Sequence, residues 1–115
     1  MKRYAQTLNL KDDPQTIAQY IEHHRAVWPE VERGLQAVGI ERMLIWRLGR
    51  RLFMVMETSD KFDPEADWPR YIDMDPRIRE WQSLMESLQE PVADAKPGEW
   101  WAEMEPVYAL GDQAP

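Results

Sequence analysis

The residues with chemistry in them are Tyr20, His23 and His24, and the two histidines are the only ones in the chain. On a helix, Tyr20 and His24 stand four apart, one turn above the other on the same face, so their polar tips can address one small volume. His23 is turned away from that face by about 100°. A neutral imidazole titrates near about pH 6.5, so it can take and give a proton at working pH, and an adjacent phenol can orient a bound hydroxyl. The two form a candidate acid/base pair. The same spacing also suits two half-buried helix residues with satisfied hydrogen bonds, and spacing alone does not separate the readings. His23 reads as a solvated helix residue, and Trp28-Pro29 as a packing hinge between two helical segments.

Other chemistry finds little support. Asp12-Asp13, Asp73 with Asp75, and Glu103 with Glu105 are paired carboxylates, but the first two precede prolines or helix starts, where acidic caps are routine. Two adjacent histidines without a cysteine match no usual transition-metal spacing. There is no Gly-rich phosphate loop, no Gly-x-Ser-x-Gly and no Cys-His pair. The expectation is a site without metal or cofactor.

Charge narrows the partners. With 14 Lys and Arg against 21 Asp and Glu the formal net charge is -7, which disfavours nucleic acid and anionic membrane surfaces. The longest basic cluster is Arg50-Arg51. No cysteine means no disulfide framework, which suits a reducing compartment, and a cytoplasmic location is the expectation. The first residues lack the apolar run of a secretion signal, and nothing approaches the roughly 18 apolar residues of a membrane span. Six tryptophans and seven methionines stand in a strongly charged chain, which points to a pocket or subunit interface as well as to a small core.

The elements that must position Tyr20 and His24 follow from periodicity. At 115 residues the chain reads as one domain over 1–110 with a frayed tail at 111–115. Residues 3–10 alternate as a strand, with Tyr4, Gln6, Leu8 and Leu10 on one face. Asp13 is a good N-cap and Pro14 a good first helical residue, predicting a helix over 14–27 that buries Ile17, Tyr20, Ile21 and His24. Pro29 interrupts it and opens a second segment, with Val31, Leu35 and Val38 at helical spacing and Gly39 closing it. Residues 40–48 and 52–58 form a hairpin across Gly49-Arg50-Arg51, with Met43 and Ile45 on one face. A short helical turn is expected at 66–74. Asp75-Pro76 then starts a helix whose stripe is Ile78, Trp81, Leu84, Met85 and Leu88, ending at Pro91. Residues 92–99 read as a loop and 100–110 as a final strand, with Pro106 marking an edge or bulge. The order is the α+β, ferredoxin-like βαββαβ plan, an antiparallel sheet with helices on one face. Its other face, too apolar for water, must be covered by a second sheet or a ligand.

The run Tyr20, His24, Trp28, Pro29 and Glu30, in the order Tyr-x-x-x-His-x-x-x-Trp-Pro-Glu, resembles the L-rhamnose mutarotase family. Lys2-Arg3-Tyr4-Ala5, the segment with Trp81 and Met85, and Glu105, Val107, Tyr108 and Leu110 also fall where that family has counterparts, so the likeness spans roughly 2–110. The resemblance implies a homodimeric α/β barrel, a monosaccharide substrate held between sheet and helices, and no cofactor. It implies His24 as catalytic proton donor, Tyr20 as a sugar contact, Trp81 as the first of a sugar-stacking Trp pair, and Trp28 as part of the site. Mutarotation asks only that the anomeric hydroxyl lose a proton, the ring oxygen gain one, and the opened sugar reclose on either face. Positioned acid/base groups contribute roughly 10²- to 10⁴-fold to such steps.

Two departures bear on specificity. Met43 stands where the family's L-rhamnose enzymes carry a sugar-contacting tyrosine, and Gln82 where they carry the second Trp of the pair. The expectation is a 6-deoxyhexose other than L-rhamnose, with L-fucose leading. Two other classes fit the residues: another dimeric ferredoxin-like barrel enzyme, such as a cofactor-independent oxygenase or an isomerase, and a non-catalytic sugar-binding dimer. Oxygen uptake marks the first, and sugar binding without faster anomer exchange marks the second.

Overall fold

Residues 1–111 are described by a computed structural model, and the rest of the expected tail, 112–115, lies outside them. Asp-Pro pairs start three helices. Asp13 accepts the Thr16 amide at 3.1 Å ahead of α1 (Pro14–His23), Asp63 the Glu65 amide at 3.2 Å ahead of α3 (Pro64–Ile72), and Asp75 the Arg77 amide at 2.8 Å ahead of α4 (Pro76–Leu88). In each case the carboxylate satisfies an orphan N–H, while the proline, whose missing N–H costs nothing there, presets helical φ. The remaining helix, α2 (Pro29–Ala37), follows Trp28, which is extended at ψ 134° and makes no side-chain cap.

Proline also explains why α1 stops at His23 and not at 27 as periodicity suggested. A continuing helix would drive the Pro29 ring into the Arg25 carbonyl and hold Trp28 in the α region that a residue before proline avoids. The chain tightens instead, the amides of Arg25 and Ala26 reaching back to the carbonyls of Glu22 and His23 at 3.1 and 3.4 Å. His24 becomes the C-cap, still in right-handed helical conformation. The short turn expected at 66–74 is the full helix α3, which accommodates Pro69 because Trp68 and Tyr71 pack edge-on into an aromatic cluster with Phe62, ring centroids 5.7 Å apart at each step.

The sheet is antiparallel. β1 (Lys2–Leu10) pairs with β3 (Arg51–Thr58), which pairs with β2 (Ile40–Leu48) in the hairpin. The other edge of β1 corrects the expected final strand. Residues 100–110 contribute only β5 (Ala102–Glu103), opposite Gln6 and Thr7, while β4 (Gln89–Glu90) comes straight off α4 and pairs with Asn9 and Leu10. After the Met104 amide bonds Ala5 the chain leaves the sheet, and Pro106 brings no donor to continue a ladder. Val107, Tyr108 and Leu110 are exposed.

Period-two alternation settles the faces. Leu8, Leu10, Leu52, Met54 and Met56 are buried under the helices with Val31, Val38, Phe62, Ile78 and Met85, and α4 packs against each of α1, α2 and α3. Phe62 is wholly buried, and truncating such a residue to alanine costs about 3–5 kcal/mol. The opposite face carries Phe53 and Val55, half-buried, with Leu44 and Trp46 exposed beside them. Among the described residues no helix is long and apolar enough to cross a membrane.

Candidate active site

The last turn of α1 brings the candidate acid/base pair together. His24 Nδ1 lies 2.9 Å from the backbone oxygen of Tyr20. A carbonyl only accepts, so Nδ1 carries the proton and Nε2 holds the free lone pair. The phenol and imidazole rings lie 4.2 Å apart, tilted by 34°. Burial lowers the His24 pKa below the usual 6.5; the Tyr20 carbonyl bond opposes this and the nearby charge of His23 adds to it. At neutral pH His24 is a neutral base, and it becomes a proton donor only after it has taken a proton. Burial pushes the Tyr20 phenol up to about 12, against the opposing pull of the Gln89 amide, so it remains a protonated donor.

α4 supplies the wall behind the imidazole. The Trp81 indole meets the His24 ring at 5.5 Å and 67°. Trp28 stands behind Trp81, 5.2 Å away at 67°, and does not line the cavity; the Arg77 guanidinium lies 3.7 Å from its ring centroid. That stack packs against Trp81 and helps hold it in place. His23 is half-buried, not solvated, with its ring 6.3 Å from Trp81 at 81°, outside the cavity wall.

Tyr20, His24, Met43 and Trp81 stand where two lobes of one cleft meet. The outer lobe, about 470 Å³, opens beside Arg25, Glu32 and Arg47. The inner lobe, about 340 Å³, is lined by the amides of Gln6, Gln82 and Gln89, the Tyr71 phenol, and the indoles of Trp68 and Trp101 among others. Both volumes fall in the range of roughly 300–1,000 Å³ usual for small-molecule sites. Among the described residues no Asp, Glu, Lys or Arg lines the inner lobe. Such a chamber suits a neutral polyol: amides and phenols meet hydroxyls, indole faces meet C–H faces, and nothing balances a phosphate or carboxylate. A wider depression of about 600 Å³ over Asp73, Asp75, Arg79 and Glu80 is open and has no histidine or aromatic in its wall. Among the described residues no three acidic or histidine side chains cluster to hold a metal.

Of the positions singled out by sequence, the cleft collects Tyr20, His24, Met43, Gln82 and Trp81. Gln82 sits at the rim, its amide nitrogen donating to Glu86 at 2.9 Å. Sequence reasoning missed Gln6, Trp68, Tyr71 and Gln89. Gln6 had a signal, since it interrupts the apolar face of β1; Gln89 lies at the end of a helical stripe and had none.

Fold and cleft together describe a small α+β protein with a chamber suited to a neutral, hydroxyl-rich ligand beside one histidine. The sequence model described as L-rhamnose mutarotase matches residues 3–110, and the chain belongs to the L-rhamnose mutarotase family. It is a sugar mutarotase. It is 41% identical over 114 residues to an L-fucose mutarotase of Xanthomonas campestris pv. campestris, covering 97% of this chain and 90% of that one. A Dictyostelium discoideum protein whose name carries no activity is 40% identical over 112 residues, covering 95% of this chain and 90% of that one. The fold matches a crystal structure of L-rhamnose mutarotase from Formosa agariphila, TM-score 0.68 at 20% identity, over 96% of this chain and 99% of that one. It also matches a type-II polyketide cyclase from Streptomyces glaucescens, TM-score 0.58 at 18% identity, over the whole of both chains.

Proposed function

We propose that the protein interconverts the α and β anomers of a 6-deoxyhexose, L-fucose before L-rhamnose, with His24 as the acid/base group and Tyr20 as its partner. The observation that carries this is the neutral His24, with Nε2 unengaged, beside an inner lobe that none of the described Asp, Glu, Lys or Arg side chains lines. His24 Nε2 takes the proton of the anomeric hydroxyl, the C1–O5 bond breaks as C1 becomes an aldehyde, and O5 takes the Tyr20 proton. Rotation about C1–C2 and the reverse transfers reclose the ring on the other face. Trp81 offers an indole face to the sugar ring. Met43 puts an apolar wall where a tyrosine hydroxyl would reach a sugar oxygen, and Gln82 keeps a carbonyl and one N–H for a hydroxyl on the opposite side. The 41% identity to an L-fucose mutarotase points the same way. Saturation transfer between anomers, on L-fucose and L-rhamnose in turn, tests the reading.

The working unit is a homodimer in this proposal. The sheet face with Leu44, Trp46, Phe53 and Val55 is uncovered in one copy, and a second copy of the same face would bury it isologously. A chain without cysteine suits a reducing cytoplasm.

A further inference from the structure

Gln89 stands where α4 hands over to the sheet: it is the C-cap of the helix, extended at ψ 162°, and as the first residue of β4 it pairs with Leu10. Only 4% of the residue is exposed, and it lines the inner lobe. A buried amide without partners is costly, so both of its ends have to be accounted for. The carboxamide oxygen accepts the Trp100 indole N–H at 2.8 Å. An indole nitrogen can only donate, so this bond decides which end of the amide is oxygen and which is nitrogen. The NH₂ end makes no hydrogen bond to any described residue. Yet among the described residues no side-chain nitrogen or oxygen that is sealed off lacks a partner. The Gln89 nitrogen is therefore not sealed, and in a residue otherwise so buried the space it opens on is the inner lobe. The lobe's other amides differ: Gln6 and Gln82 are half-buried, and Gln82 already commits its nitrogen to Glu86.

We propose that Gln89 is a substrate-binding residue of the inner lobe, whose NH₂ group, turned to the chamber by Trp100, donates to one hydroxyl oxygen of the sugar. That the ligand is a sugar rests on the mutarotase reading above. A glutamine free to turn over meets a hydroxyl with either end and so discriminates little. Pinned by Trp100, Gln89 requires an oxygen that accepts, and that hydroxyl must send its own hydrogen elsewhere. A sugar with no oxygen at that place leaves a buried N–H unpaired, so Gln89 adds to the specificity assigned to Met43 and Gln82. The reacting oxygens O1 and O5 belong to His24 and Tyr20. Gln89 thus holds a hydroxyl that does not react, with a bond as strong in the bound sugar as in the transition state, and its loss shows in KM more than in kcat.

The first measurement needs no variant. In ¹⁵N-labelled wild-type protein the Gln89 NH₂ pair, assigned through its own side-chain carbons, is followed while L-fucose is added. The pair should shift and saturate with the sugar, while the Trp100 indole N–H, whose acceptor does not change, should move less. Kinetic variants then follow by anomer exchange at limiting and saturating L-fucose. Gln89→Met keeps the side-chain length and removes the donor, and should raise KM roughly tenfold or more with kcat changed little. Gln89→Glu can still accept from Trp100 but turns an acceptor to the lobe, and should bind L-fucose at least as weakly as Gln89→Met. Trp100→Phe frees the amide to turn over, so KM should rise less, and in combination with Gln89→Met it should add little. An NH₂ pair that stays in place at saturating L-fucose, or a folded Gln89→Met with wild-type KM, overturns the inference. If the wild-type protein accelerates no anomer exchange, the mutarotase reading fails and the NH₂ pair still decides: a shift on adding L-fucose supports Gln89 as a sugar contact, and none overturns it.

Discussion

Nδ1 of His24 donates to the carbonyl oxygen of Tyr20, one turn earlier in the same helix, at 2.9 Å. The backbone amide of His24 approaches the same oxygen at 3.3 Å, so the last turn of α1 fixes both the position and the tautomer of the imidazole. Nε2 thereby keeps the free lone pair, and the ring need not choose between two protonation patterns.

The pH dependence follows from the burial of that ring. The folded-state pKa of His24 lies below 6.5, so the neutral base persists into mildly acid solution and the acid limb of kcat should fall below pH 6.5. Stability follows the same sign: as pH drops from 6.5 to the folded-state value, the unfolded chain gains a proton that the folded one refuses, and stability declines across that window. A kcat profile and urea midpoints over the range check both; an acid limb centred above 6.5 contradicts the placement of His24.

The two histidines should separate cleanly. His24→Ala removes the base and should cost roughly 10²-fold or more in exchange rate with the fold intact. His23→Ala removes only an edge contact to Trp81 and a neighbouring charge, and should stay within a few-fold of wild type. Circular dichroism and exchange rates on both variants decide; equal losses would mean that His23 also reaches the sugar.

Much of this was legible in the sequence. The Asp-Pro pairs at 13–14 and 75–76, the alternation of the hairpin and the four-residue step from Tyr20 to His24 each depend on neighbours in the chain. What could not be read depends on distant ones. The pairing of Gln89 with Trp100 joins a helix end to a loop with no shared period, and β4 exists because Leu10 and Asn9 are there to pair with it. The signal of Asp63-Pro64 was present but masked by Pro69, whose cost is offset by the burial of Trp68 and Tyr71 against Phe62. Trp28 belongs to the conspicuous Trp-Pro-Glu run, yet only packing shows that it stands one layer behind the cavity.

At Gly34, α2 comes close to α3 and α4. A Cβ there would lie 2.6 Å from Ile78 Cδ1 and 3.0 Å from the Tyr71 ring carbons Cδ1 and Cε1. Gly34→Ala gains about 1 kcal/mol of helix propensity but overpacks α2 against α3 and α4 at about 1–3 kcal/mol, for a net loss near 1 kcal/mol. Because Tyr71 lines the inner lobe, KM for the sugar should rise too. Denaturant midpoints measure the first effect, and a stabilised variant would contradict the close approach.

The uncovered sheet face should hold two copies together. Light scattering after size exclusion should give twice the chain mass at micromolar concentration, and Leu44→Glu with Val55→Glu, which place like charges on that face, should give one. A wild-type monomer throughout that range contradicts the dimer.

The most direct test of the central claim is saturation transfer between α and β anomers at equal enzyme concentration, for L-fucose and for L-rhamnose. Met43 and Gln82 line the cleft, and on the proposed reading they should leave one sugar's hydroxyls matched and the other's unpaired, a difference that discriminates strongly. Exchange should be markedly faster for L-fucose and should vanish for both sugars in His24→Ala. Faster exchange for L-rhamnose contradicts the specificity assigned to Met43 and Gln82, and no acceleration of either contradicts a 6-deoxyhexose mutarotase at this site.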